Sequence, residues 1–112
     1  MKKLIYKLQN RLLRTCENDV SYSVVQRMLR ENKNIILIDV RTRDEFMYNH
    51  IDGAVNIPLQ EITQKIGRYT RNKNDAIIVY CEYGGRSKKA LNKLNKLGYV
   101  NVYNLDGGIE GI

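Results

Sequence analysis

The stretch Ala76-Ile77-Ile78-Val79-Tyr80-Cys81-Glu82-Tyr83-Gly84-Gly85-Arg86-Ser87 decides how this sequence folds. Residues 76–80 form an apolar, largely β-branched run, too short for a helix and of the kind found in a central parallel strand buried on both faces. Ser87 opens a helix to Leu97 in which Ala90, Leu91, Leu94 and Leu97 share one face. Gly98 then stands just past the helix end, where a positive φ is required. Cys81 is thereby placed at the carboxyl end of a central strand, where open α/β sheets bind their ligands.

The residues between strand and helix sharpen this reading. Gly84 and Gly85 let the loop curl so that several amide N–H groups point inward as an anion nest. The helix N-terminus adds unpaired N–H groups and the positive end of its dipole. Such a field lowers a thiol pKa and makes Cys81 nucleophilic near neutral pH. Arg86 contributes a fixed positive charge whose fork suits tetrahedral oxyanions. Taken singly, a Cys at a strand end is an ordinary small hydrophobe and glycines are ordinary turn residues. Clustered with Arg86 and a helix cap, they point to a catalytic thiol in an anion-binding loop.

Outward from this segment, short apolar strands alternate with helical stretches, the pattern of an α/β domain with a mainly parallel sheet. Val20 is a short first strand, and Ser21 caps a helix to Glu31 that repeats Val24, Val25, Met28 and Leu29. Residues 35–40 form a second central strand, and Thr42 caps a short helix through Phe46 and Tyr48. A brief strand is expected around residues 54–56, helical turns over residues 59–66, and the last strand over residues 100–103. Residues 105–112 turn toward a helix that hardly begins.

Size and charge limit the remaining choices. The 112 residues (13.1 kDa) suit a single core, and 43% hydrophobic with 28% charged residues excludes a disordered chain. No run of 18 apolar residues exists, so no membrane span is expected. Of the net charge of +7, Lys2, Lys3, Lys7, Arg11 and Arg14 supply +5; the other 14 bases against 12 acids leave +2. The basicity therefore belongs to residues 1–18, read as an amphipathic helical arm with Leu4, Ile5, Leu8, Leu12 and Leu13 on its apolar side. Residues 19–112 are read as the domain proper. No aromatic interleaving accompanies the arm's charges, so nucleic acid is not an expected partner. The arm is expected to pack its leucines on the domain, with contact to a membrane surface or a partner the less favoured use. It lacks the continuous apolar core of an export signal. Two cysteines, Cys16 and Cys81, are too few for a disulfide scaffold or a zinc site, which suits a reducing, cytoplasmic setting; Cys16 is read as structural.

A count separates two reactions that use such loops. Cysteine phosphatases place the Arg six positions after the Cys, whereas Arg86 is five after Cys81. The tighter loop suits a single sulfur carried as a persulfide and stabilised by a ring of amides.

Four motifs reinforce that choice: Ile38-Asp39-Val40-Arg41 followed by Glu45-Phe46; residues 50–58, His-Ile-Asp-Gly-Ala-Val-Asn-Ile-Pro; the loop 81–87; and residues 102–109, Val-Tyr-Asn-Leu-Asp-Gly-Gly-Ile. From about residue 20 to 111 the chain resembles a single-domain rhodanese, a thiosulfate or persulfide sulfurtransferase. The resemblance implies an α/β fold around a five-stranded, mostly parallel sheet with helices on both faces. It also implies a catalytic Cys cycling between thiolate and persulfide, carried over to Cys81. The amides of Glu82, Tyr83, Gly84, Gly85, Arg86 and Ser87, with the Arg86 side chain, match the family's substrate cradle. No metal or organic cofactor is implied, and the expected partners are a small anionic sulfur donor and a protein sulfur acceptor.

Asp39 and Arg41 are read as supports that tie neighbouring loops together, with Arg41 pairing Glu45. His50, the sole histidine, is read as satisfying backbone groups. Glu82 is a departure from the pattern, because a carboxylate next to the nucleophile opposes an anionic donor if it faces the pocket. Ile112 stands where many relatives have an aromatic and a longer final helix. Two rival functions remain at this stage: a protein-docking module for sulfur relay or sensing, and, less favoured, a cysteine phosphatase or arsenate reductase.

Overall fold

The computed structural model describes residues 18–112. The expected arm and Cys16 lie outside the described residues, apart from Asn18. The elements are β1 (Asp19–Val20), α1 (Tyr22–Glu31), β2 (Ile36–Asp39), α2 (Arg43–Tyr48), β3 (Val55–Asn56), α3 (Ile62–Lys65), β4 (Ile77–Tyr80), α4 (Gly85–Lys96) and β5 (Val102–Leu105). Short 3-10 turns flank α3 at Leu59–Glu61 and Ile66–Arg68, and another, Ile109–Gly111, closes the chain.

All five strands are parallel, in the order β1-β5-β4-β2-β3. The continuous apolar strands bury both faces because alternate residues point to opposite sides. Ile38, Ile77, Val79 and Val102 join Ile62, Ile66, Ala90 and Leu94 under α3 and α4. Leu37, Ile78, Tyr80, Tyr103 and Leu105 join Val25 and Met28 under α1.

Local capping chemistry sets the boundaries. The Ser21 hydroxyl accepts the Val24 N–H at 3.3 Å and starts α1. Thr42 and Glu45 form a reciprocal capping box on α2. At the end of α4, Gly98 takes φ +101° while Tyr99 N–H bonds Leu94 O and Gly98 N–H bonds Asn95 O, both at 3.0 Å, a Schellman motif. That motif reverses the chain, so β5 begins at Val102, later than residue 100 as expected from sequence. Likewise α4 begins at Gly85, ahead of Ser87, because left-handed Gly84 (φ +113°) supplies the cap.

The strand order positions the site. From β2 the chain passes through α2 to β3 on one side, and from β4 through α4 to β5 on the other. The loops after β2 and β4 diverge at adjacent carboxyl ends, which opens a crevice between them at the topological switch point.

Candidate active site

Cys81 directly follows β4 and is 1% exposed. Its sulfur receives the Gly84 N–H at 3.1 Å and the Ser87 N–H at 3.3 Å, with the Ser87 hydroxyl 3.4 Å away. This convergence depends on Gly84, whose left-handed backbone turns its amide inward at no steric penalty. The Ser87 hydroxyl also donates to Gly84 O at 3.0 Å, so its single proton serves either the loop or the sulfur. Burial pushes the Cys81 thiol up, but the Ser87 hydroxyl and the N–H groups of Ser87, Gly84 and Tyr83 outweigh it. The thiol is held below its ordinary range.

The other residues expected to form the cradle lie around this centre. Tyr83 is 70% exposed at the rim. Glu82 is half-buried and Gly85 exposed, and Gly85 and Arg86 open the first turn of α4, where N–H groups have no partner within the helix. The Arg86 side chain leans across the crevice: its Nη1 and Nη2 donate to Glu45 Oε1 and Oε2 at 2.7 and 3.0 Å. This forked pair raises the Arg86 pKa and, with Thr42 adding hydrogen bonds against the effect of burial, holds the Glu45 carboxyl down to about 2.

That pair corrects the expected partner of Arg41, which does not bond Glu45. Arg41 folds inward onto Asp39, with Nε at 3.1 Å from both carboxylate oxygens and Nη2 at 2.8 Å from Oδ2. The physical reason is burial. Asp39 is 0% and Arg41 3% exposed, and a carboxylate removed from water requires a counter-charge at the same depth. Arg41 Nη2 also donates to Asn49 O at 2.5 Å, and Asn56 Nδ2 donates to the carbonyls of Asp39 and Arg41 at 3.0 Å each. Asp39 and Arg41 thus join β2 to the end of α2 and to β3 without bonding the thiol loop. His50 Nδ1 lies 2.9 Å from Phe46 O and its ring stacks on Phe46, the backbone-satisfying use expected of it.

Two contributors escaped the sequence reading. The sequence reading pairs Glu45 with Arg41, although the helix-capping spacing Thr42-x-x-Glu45 does place its carboxylate near the start of α2. The turn after β5 is the other: Ile109 N–H bonds Cys81 O and Glu110 N–H bonds Glu82 O, both at 2.9 Å. Gly108 makes that approach feasible, since a Cβ there would stand 2.3 Å from Glu82 O. The glycine pair 107–108 was the available signal. Among the described residues no group of three His, Cys, Asp or Glu side chains is arranged to hold a metal. A groove of about 620 Å³ lies elsewhere, between α1 and residues 50–52, and includes none of residues 81–87.

A parallel α/β sheet with a buried, amide-ringed thiol at its switch point defines a class, and comparison with known proteins identifies it. Residues 21–112 match the rhodanese-like domain family. Thiosulfate sulfurtransferase PspE of Escherichia coli K12 is 40% identical over 75 residues, covering 67% of this chain and 71% of that protein. The human single-domain sulfurtransferase TSTD1 superposes with a TM-score of 0.74 at 27% identity, covering 84% of this chain and 94% of that one. A structure titled as an E. coli rhodanese with anions gives 0.64 at 37% identity over 70% of this chain and 91% of that one. The chain belongs to the rhodanese family, and its class is the rhodanese-type sulfurtransferase.

Proposed function

We propose that Cys81 is the sulfur-carrying nucleophile and that residues 82–87 form the cradle of its donor and its persulfide. The observation that carries this reading is the convergence of two N–H groups and a hydroxyl on Sγ within 3.4 Å. The Cys81 thiolate attacks the sulfane sulfur of thiosulfate or of an organic persulfide. The donor S–S bond breaks, its remainder leaves with the bonding electron pair (sulfite from thiosulfate), and Cys81–S–S⁻ forms. An acceptor nucleophile then attacks the outer sulfur, the new S–S bond breaks, and the electron pair returns to Cys81 as thiolate. The loop amides that converge on Sγ stabilise the anion at both stages. Asp39 and Arg41 keep the adjoining loops in place, and no cofactor is assigned.

This reading includes a protein acceptor reached over the exposed rim at Tyr83, and a reducing compartment such as the cytoplasm, which keeps the thiol available. It treats residues 19–112 as the catalytic domain and residues 1–18 as an appended arm. No helix among the described residues is long and apolar enough to cross a membrane.

Intact-mass measurement after thiosulfate treatment tests the reading. The wild type should gain about 32 Da, reversibly with a reductant, and Cys81→Ser should not. A serine variant that still transfers sulfur would overturn it.

A further inference from the structure

The mouth of the pocket has a charge balance that its loop sequence alone does not reveal. Arg41 is consumed by buried Asp39. Lys88 reaches away to Asp19 on the edge strand at 3.2 Å. The guanidinium at the thiol loop is Arg86, and both of its Nη groups are committed to Glu45. Glu45 is itself anchored, since Oε1 also accepts the Thr42 N–H at 3.0 Å and the Thr42 hydroxyl at 3.1 Å. Turning away from Arg86 would cost α2 the reciprocal half of its capping box. Glu82, next to the thiol, adds a second carboxylate within electrostatic range of Arg86.

A sulfonate-bearing dianion such as thiosulfate meets a guanidinium already forked to one carboxylate and within electrostatic range of a second. An organic persulfide presents its sulfane sulfur without a sulfonate and carries less negative charge at the reacting end, so it depends less on that guanidinium and more on the loop amides. We propose that Glu45 is a specificity-determining residue: by holding and neutralising Arg86 it biases the pocket toward organic persulfides and against thiosulfate. The inference rests on the assignment of Cys81 as the sulfur carrier.

The test is Glu45→Gln, which keeps a capping-box residue at the third helical position while removing the charge. Initial rates with cyanide as acceptor give kcat and KM for two donors, thiosulfate and cysteine hydropersulfide. For thiosulfate the variant should show a KM lowered by roughly tenfold, as expected for loss of one partly screened charge, with kcat within about twofold. For the hydropersulfide, KM should stay within about twofold. Arg86→Gln should raise the thiosulfate KM, and the double variant should return it near the wild-type value, because the pair is neutral in both. An equal rise in KM or an equal fall in kcat for both donors would make Glu45 a structural brace only. Unchanged thiosulfate KM would overturn the proposal as well. Failure of the underlying assignment reads out separately, as absence of a persulfide mass gain on wild-type Cys81 with either donor.

Discussion

At the residue scale, the acidity of the Cys81 thiol is a contest between burial and hydrogen bonding. Burial alone would leave the thiol protonated and inert, as in most buried cysteines. Ser87 tips the balance because it brings both its N–H and its hydroxyl to the sulfur. Removing the hydroxyl leaves the burial effect less opposed, so the thiol pKa rises. In Ser87→Ala the pH dependence of iodoacetamide alkylation should therefore shift to higher pH, since only the thiolate is alkylated. An unchanged midpoint would show that the loop amides suffice. Arg41 obeys the same physics in a different role. Replacing it by Met leaves the Asp39 carboxylate buried without a counter-charge, and Arg41→Met should lose about 3–5 kcal/mol in urea unfolding.

At the element scale, short helices gain their precision from their ends. Helix α2 has six residues and no buried side chain, so the Thr42–Glu45 box rather than core packing defines where it starts. Helix α4 is held at both ends by glycine, Gly84 at its start and Gly98 past its end. The second is testable without touching the chemistry. A Cβ on Gly98 would meet only the Lys73 side chain, at 3.8 Å, so space is available and the cost is conformational. Gly98→Ala should lose about 1–2 kcal/mol in urea unfolding while the rate of Cys81 alkylation is unchanged. Much of this was legible beforehand. Ser21, Thr42 and Gly98 each announced a helix end by residue type, and the apolar runs 35–40 and 76–80 announced the two central strands. The ends of β5 and α4 were displaced by two residues because Schellman and left-handed caps depend on φ, which residue type constrains only in part.

At the scale of the whole molecule, the sheet order brings distant parts of the chain together. The loops after β2 and β4 become neighbours because their strands pair in parallel, with Asp39 opposite Tyr80. That adjacency places Glu45 against Arg86, 41 residues later, and β5 delivers the turn 108–111 onto the carbonyls of Cys81 and Glu82. The amino-acid sequence by itself determined the alternation of strands and helices, the capping signals and the thiol loop between β4 and α4. Those features arise from side-chain periodicity and interactions a few residues long. Only the tertiary structure decided which carboxylate each arginine takes and what supports the loop from behind. Ion-pair partners are chosen by burial and by which strand ends lie side by side, and neither is a function of distance along the chain.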